Sequence, residues 1–495
     1  MGQVGTKTLA ELGLTAKGLR EAQITGLAVD SRAVKPGFLF AALPGTRVHG
    51  GEFIQYALRM EAGAILTDAE GARIAADVIA EHPDVAIIIA EDPRQTLAYA
   101  AALWFGSQPD KMIAVTGTNG KTSVATFTRQ IWQLNGRAAI NVGTTGVEGD
   151  FTTPLHHTTP EPITLHRVLS EAANAGISHA AMEASSHGLA QKRLDGVTLC
   201  AAGFTNFTQD HLDYHDSFEA YFDAKAGLFG RVLPDTGTAV INTNDPRGAD
   251  MAEVAQMRGQ TVMRVGSDED CDLRLLGQRF DATGQDMRFD WRGRPQQVRL
   301  NLIGGFQAEN VLLAGGLAIA SGEEPGEVFA AMSHLSTVRG RMQLAATRDN
   351  GAAVFVDYAH TPDALATALR ALRPHVMGRL VVVFGAGGDR DTSKRPLMGQ
   401  AAAENADVVF VTDDNPRGED PADIRAAVMG GCPEATEIPD RAEAILRGVD
   451  ALGPGDALLV AGKGHETGQI IGDDVFPFDD VEQASVAVAA LDGHL

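Results

Sequence analysis

The stretch TGTNGKTS, Thr116 to Ser123, sets a lysine and two hydroxyls behind Gly117 and Gly120. Backbone amides of a glycine-containing turn at a helix start can cradle phosphate oxygens. Lys121 can then neutralise terminal phosphates, and the Thr122 hydroxyl can ligate Mg²⁺. The strict phosphate-loop spacing asks for glycine where this chain has Val115, so the fit is to a shorter variant. Further along, MEASSHGLAQKRLDG places Glu183 at a strand end, where it is either a metal ligand or a solvated acid. The same stretch offers Ser185, Gln191 and Arg193 to an anion. FTNFTQDHLDYH supplies His211 after another strand, and FEAYFDAKAGLF sets Lys225 on an aromatic-rich helix. Taken singly, that histidine reads as structural and that lysine as solvated. HHTTPEP, His157 to Pro162, offers hydroxyls and amides to a carboxylate or phosphate. Late in the chain, VTDDNPRGED packs four acids, an Asn-Pro turn and Arg417 into one loop. It reads either as a pocket for a small zwitterion or as a surface loop in which Arg417 pairs with Glu419 or Asp420.

These residues need elements to carry them. The first ~108 residues hold short apolar runs (ITGLAVDSR, GFLFAAL, GAILTD, VAIIIAED) that read as strands of a small α/β domain. FGSQPDKM is a linker. Residues 109–336 read as a larger α/β domain, opening with strand, glycine loop and helix in KMIAVTGTNGKTSVATFTRQIWQL and continuing with strands in HAAMEAS, LCAAGFTNF and GTAVINTND. Residues 337–495 alternate strand and helix, which predicts a doubly wound, Rossmann-like parallel sheet. Thr361 can cap its first helix with Pro362 in the first turn. In open parallel sheets, ligands bind beyond the carboxyl ends of the strands. The loops DYAHTP, GAGGDRD, TDDNPRGED and GKGHE should therefore crowd one rim.

Composition narrows the function classes. The 495 residues are 44% hydrophobic and 21% charged, ordinary for a globular chain. A formal net charge of −23 argues against non-specific nucleic-acid or anionic-membrane binding. Cys200, Cys271 and Cys432 lie far apart without a CxxC pair, which fits a reducing compartment. No apolar run approaches the ~20 residues that span a bilayer. A cytoplasmic monomer is the expectation.

The ordered set GTNGKT, EASSHGL, GRM, VDYAHTP and GKGHE resembles the Mur ligases, the ATP-dependent amide-bond formers of peptidoglycan synthesis, over essentially the whole chain. The resemblance implies three domains: 1–108 for a UDP-sugar, 109–336 for ATP, and 337–495 for the incoming amino acid. It implies that Gly117, Thr118, Asn119, Gly120, Lys121, Thr122 and Ser123 bind the phosphates of ATP, with Asn310, Arg341 and Asp357 around the nucleotide. Thr122, Glu183 and His211 would bind or position Mg²⁺, and Lys225 matches a lysine carboxylated to a carbamate, an anion able to support a hard cation. Lys121, Glu183, His211 and Lys225 form the implied catalytic set.

Within the family the chain is most similar to members that extend UDP-N-acetylmuramoyl-L-alanyl-D-glutamate. Val29, Ser31, Thr46, His157, Thr158, Thr159, Ser185, Gln191 and Arg193 match that substrate's site, although related enzymes often carry asparagine at position 157. Such members add L-lysine or meso-diaminopimelate, which differ by one carboxylate. DNPR, Asp414 to Arg417, matches the diaminopimelate-adding pattern. There Asp414 and Asn415, beside Pro416, would meet an ammonium, and Arg417 the distal carboxylate, bidentately. Arg390, Gly462 and Glu466 complete the implied pocket. The alternatives are an L-lysine-adding member or another Mur or folylpolyglutamate-type ligase. A P-loop kinase or motor ATPase leaves the GKGHE and DNPR loops unexplained.

Overall fold

The computed structural model describes residues 5–45, 48–155, 157–208 and 214–494. Thr46 and His211, both singled out above, lie outside the described residues. Three larger sheets organise the chain. The first is four-stranded and wholly parallel, built from Gly26–Ala28, Phe38–Ala41, Ala64–Thr67 and Ala86–Ile89 in that order.

The second sheet has ten strands. Its centre is Lys111–Thr116, flanked by His179–Glu183 and Ala201–Phe204, all parallel. Ala139–Gly143 continues one side, and Thr238–Asn242, Thr261–Gly266 and Leu273–Asp281 continue the other in parallel. The central strands are buried on both faces, so they read as continuous apolar runs rather than alternating ones. Helices Lys121–Leu134 and Phe306–Ala320 pack on one face over a core that includes Val124, Phe127, Val311 and Leu317.

An antiparallel extension, Leu273–Asp281, Gly284–Trp291 and Arg294–Leu300, was not legible as strands in the apolar pattern. Its outer two strands are largely half-buried or exposed and rich in Arg and Gln, although Met287 and Phe289 of the middle strand enter the core. The turn is the signal that could have revealed it. Arg292 and Gly293 both take positive φ (48° and 84°), as a two-residue hairpin requires.

The third sheet has the order Gln343–Thr347, Ala353–Asp357, Ala457–Ala461, Leu380–Phe384, Val408–Val411, Thr436–Glu437. Only the first strand is antiparallel. Helices cover both faces, giving one core around Leu369, Met398 and Val428 and another around Ile445, Leu458 and Val488. This is the doubly wound arrangement the strand–helix alternation predicts. Thr361 caps the helix Pro362–Leu372 by accepting from the Ala364 amide at 3.3 Å, with Pro362 in the first turn.

One ion pair is wholly enclosed in this third unit. Arg441 Nη2 and Nε donate to Asp480 at 2.7 and 2.8 Å, and Nη2 also donates to the Ala461 carbonyl at 3.0 Å. Both side chains are fully buried. The pair joins the helix Arg441–Asp450 to the helix Asp480–Leu491 and to the end of the strand Ala457–Ala461. Removing one partner strands a buried charge. Arg441→Ala should lower the unfolding free energy by about 3–5 kcal/mol, read in a denaturant titration.

The first and second units meet where the helix Pro93–Phe105 packs on the helix Pro162–Asn174. His166 is buried there, and neither ring nitrogen has a hydrogen-bond partner among the described residues. A Cβ on Gly196 would fall 2.7 Å from its Nε2, so the ring is tightly enclosed. Burial pushes its pKa down from 6.5 to about 4. The unfolded chain therefore binds the proton first, and stability is lost as pH falls from 6.5 through 4. His166→Phe should flatten that acid-side slope, measured by unfolding midpoints at pH 7 and 4.5.

Candidate functional site

Because the strands of the second sheet run parallel, their carboxyl ends release loops onto one rim. A cavity of about 500 Å³ lies there. It collects Thr118–Ser123 after the strand Lys111–Thr116, Thr144 after Ala139–Gly143, Glu183 and Ser185 at the end of His179–Glu183, and Thr205 and Asn206 after Ala201–Phe204. Across it stand Asn310, Arg341 and the segment Asp357–His360. Residues far apart in sequence thus meet on a shared edge.

The glycine loop is anchored from beside. The Thr118 amide donates to the Asn206 carbonyl and the Asn119 amide to Asn206 Oδ1, both at 2.8 Å. Thr205 Oγ1 donates to the Asn119 carbonyl at 2.6 Å. Gly117 sits at φ 148°, and a Cβ there would lie 1.8 Å from Thr205 Oγ1. Gly120, at φ 84°, caps the helix Lys121–Leu134, whose first residues Lys121, Thr122 and Ser123 line the cavity and whose first-turn amides lack intrahelical acceptors. Lys121 Nζ donates to the Gly117 and Thr118 carbonyls at 2.9 and 2.8 Å, so its ammonium is folded over the loop.

Glu183 is buried and bound on both oxygens. It accepts from Thr122 Oγ1 at 3.0 Å, from the Thr144 amide at 2.9 Å and from Thr144 Oγ1 at 3.2 Å. The solvated-acid reading is therefore excluded. Lys225 is also buried, which excludes its solvated reading. Its Nζ donates to the Gly117 carbonyl at 2.7 Å and lies 4.5 Å from the centre of the Tyr221 ring. Both contacts suit an ammonium.

The residues matched to the UDP-sugar substrate form a polar chain beside Glu183. Thr144 Oγ1 and Thr158 Oγ1 lie 3.0 Å apart, and Thr159 Oγ1 donates to the Glu183 carbonyl at 2.8 Å. The Ser185 amide and hydroxyl donate to Thr159 Oγ1. Arg193 donates to the Thr159 carbonyl and to Gln191 Oε1. Burial pushes the Arg193 guanidinium below its ordinary pKa. His157 is exposed beside this chain. Val29 and Ser31 follow the strand Gly26–Ala28 in the first unit and do not join it.

Arg341 reaches from the third unit to the second, and Asp357 stands close to it in the third unit. Asp357 accepts from the Met342 and Ala359 amides at 2.7 and 2.9 Å, and burial raises its pKa. The Arg341 guanidinium lies 4.5 Å from the Tyr358 ring centre and reaches Thr122 Oγ1 at 3.4 Å. Asn310 abuts the glycine loop, for a Cβ on Gly120 would lie 2.8 Å from its Oδ1.

The four loops of the third sheet crowd one rim, as expected, and a second cluster forms there. Asp414, Asn415 and Pro416 are buried. Asn415 Nδ2 donates to Glu466 Oε2 at 2.9 Å. Arg417, at φ 51°, donates through Nη1 to the Gly388 carbonyl at 2.8 Å. Glu419 is engaged by Arg395 at 2.8 Å, and Asp420 caps the helix Pro421–Met429. The surface-loop reading, in which Arg417 pairs with one of these two acids, is thereby excluded. Gly462 takes φ 119°, and a Cβ there would meet Asp414 Oδ2 at 2.7 Å. Arg390 is exposed, and it shares a flank of Gly387 with Arg417: a Cβ there would lie 2.9 Å from Arg417 Nη1 and 4.0 Å from Arg390 Cγ. Burial raises the Glu466 carboxyl, and Asp414 adds to that.

Several residues here escaped the motif reading. Thr144, Thr205 and Asn206 do their work through hydroxyl or amide groups that no charge pattern marks. Lys463 was overlooked between two glycines, yet it is fully buried in the second cluster.

Family models for the Mur ligase family catalytic domain, the Mur ligase middle domain and the Mur ligase glutamate ligase domain match residues 23–104, 115–318 and 340–464. The chain is 49% identical over 475 residues to the UDP-N-acetylmuramoyl-L-alanyl-D-glutamate–2,6-diaminopimelate ligase of Bradyrhizobium diazoefficiens, covering 94% of this chain and 95% of that one. It is 48% identical to the ligase of the same name from Caulobacter vibrioides, covering 95% and 96%. A solved structure of a ligase of that name superposes with a TM-score of 0.72 at 33% identity, covering 98% of this chain and 99% of that one. Matched along nearly its whole length by these models and relatives, the chain belongs to the Mur ligase family.

Proposed function

We propose that this chain is an ATP-dependent ligase that adds meso-diaminopimelate to UDP-N-acetylmuramoyl-L-alanyl-D-glutamate in peptidoglycan synthesis. The observation that carries the choice of amino acid is Arg417, whose neighbouring acids are engaged elsewhere while its guanidinium stands beside Asn415 and Glu466. The diaminopimelate-ligase names of the relatives support the same choice. L-lysine lacks the carboxylate such an arginine would bind.

In this reading residues 1–108 take the UDP-sugar, 109–336 the nucleotide and 337–495 the amino acid. The protein works in the cytoplasm as a monomer, without nucleic-acid partners. No helix among the described residues is long and apolar enough to cross a membrane.

The mechanism has two steps. The D-glutamyl side-chain carboxylate attacks the γ-phosphorus of ATP, forming an acyl phosphate and releasing ADP. The amine of the incoming amino acid then attacks the acyl carbon, and inorganic phosphate leaves. Repulsion between carboxylate and triphosphate is the main obstacle. The loop Gly117–Ser123 with Lys121 counters it by orienting the phosphates and neutralising their charge. Asn310, Arg341 and Asp357 border the nucleotide. Thr158, Thr159, Ser185, Gln191 and Arg193, with His157 beside them, orient the muramoyl-dipeptide, and the family match assigns Val29, Ser31 and Thr46 to the same substrate.

The donor set fits Mg²⁺: Thr122 Oγ1 and Glu183 Oε2 are hard oxygens 3.0 Å apart, beside a phosphate-binding loop. Thr122, Glu183 and His211 would hold it, and Lys225, whose contacts here are those of an ammonium, would join them on conversion to a carbamate. When bound, Mg²⁺ supplies charge neutralisation at the transferring phosphoryl group.

Phosphate release with UDP-muramoyl-dipeptide and ATP should be strong with meso-diaminopimelate and weak with L-lysine. Equal rates with both would overturn the assignment. Arg417→Ala should raise KM for meso-diaminopimelate about 30-fold or more, because an unpaired buried carboxylate costs at least ~2 kcal/mol. Lys121→Ala should lower kcat for ADP release by about 100-fold, and near-normal turnover would remove Lys121 from the mechanism.

A further inference from the structure

The second cluster contains a charge that neither the motif reading nor the mechanism uses. Lys463 has no solvent exposure. Its Nζ donates to Asn415 Oδ1 at 2.7 Å and to the Gly468 carbonyl at 2.8 Å. It lies 3.4 Å from Asp414 Oδ1 and 3.9 Å from Glu466 Oε2. One ammonium therefore touches Asp414, Asn415 and Glu466 together.

The consequence falls on Asn415. Its Oδ1 accepts from Lys463 Nζ and, at 3.0 Å, from the Ile470 amide. Two donors use both lone pairs of an amide oxygen. The amide is thereby locked, its oxygen turned inward and its NH₂ outward, where one N–H already meets Glu466 Oε2. Locked this way, Asn415 can offer a ligand only a donor, which suits a carboxylate beside Arg417 rather than an ammonium. A substrate ammonium is left to the acids Asp414 and Glu466.

The same lysine fixes the hairpin Gly468–Ile471 and Asp474–Pro477 against the DNPR loop. Gln469 Nε2 donates to the Asp414 carbonyl at 2.7 Å, and the Arg417 amide donates to the Ile470 carbonyl at 3.1 Å. Arg417, in its positive-φ conformation, depends on that backbone contact for its place.

We propose that Lys463 is a positioning residue of the amino-acid site: its ammonium fixes the orientation of the Asn415 amide and holds the Gly462–Glu466 loop and the following hairpin in register with Asp414–Arg417. This rests on the reading of that cluster as the amino-acid site. A merely structural lysine would shift stability without distinguishing one substrate from another.

The test is steady-state kinetics on the full chain with Lys463→Met, Lys463→Gln and Lys463→Arg, alongside thermal unfolding. Lys463→Met should raise KM for meso-diaminopimelate at least about tenfold, while KM for ATP and for UDP-muramoyl-dipeptide stays within about twofold. Lys463→Gln, which keeps a donor for Asn415 Oδ1, should show a smaller rise. Lys463→Arg should recover part of the loss by restoring the charge. An unchanged KM for meso-diaminopimelate in Lys463→Met, or equal rises for all three substrates, overturns the proposal. So does failure of all three variants to fold, which would assign the ammonium to the scaffold. A wild-type chain that does not use meso-diaminopimelate overturns the functional reading itself, independently of Lys463.

Discussion

The contact between the Glu183 carboxylate and the Thr122 hydroxyl is the interaction around which the second unit is arranged. It exists because His179–Glu183 and Lys111–Thr116 run parallel, with Glu183 opposite Val115. That register delivers the carboxylate to the rim one step behind the glycine loop. The Thr144 amide and hydroxyl complete its shell from the next strand over. A buried carboxylate without such donors would be costly. The loops after three parallel strands are therefore fixed by one side chain, and Thr159, Ser185 and Arg193 extend the network outward.

The third unit reaches this rim through Arg341, and the segment that carries Arg341 is tightly seated. Gly340 takes φ 66°, and a Cβ there would lie 2.2 Å from the His465 amide nitrogen. The segment that enters the third unit thus lies directly on the GKGHE loop. From the next residue, Arg341 crosses the Tyr358 ring toward Thr122. Tyr358 also stacks near His465, 5.0 Å between ring centres, and the His465 pKa is pushed down to about 4 by burial. A short path of packed groups therefore runs from the GKGHE loop through Tyr358 and Arg341 to Thr122 at the rim of the cavity.

Much of this was legible in the chain. A glycine loop between an apolar run and a helix announces itself through backbone requirements that few other residues meet. The strand–helix alternation after residue 350 has a period that only a covered parallel sheet satisfies, and it foretold which loops would share a rim. The antiparallel extension at 273–300 stayed hidden because its half-exposed strands carry polar residues on both sides of the pattern. Lys225 read as solvated by itself, since helix position alone does not reveal that aromatic neighbours such as Tyr221 enclose it.

The sequence by itself pointed to the family, through its ordered motifs, and to the loops that carry the candidate site residues, because those depend on residue type and on local spacing. Tertiary structure decided the pairings. Arg417 is clear of Glu419 only because Arg395, from a helix start more than twenty residues earlier, engages that acid first. Asn415 Oδ1 is held by Lys463, which arrives from a different strand end 48 residues later, together with the Ile470 amide. Charges compete for partners by distance in space, and distance along the chain says little about which partner wins.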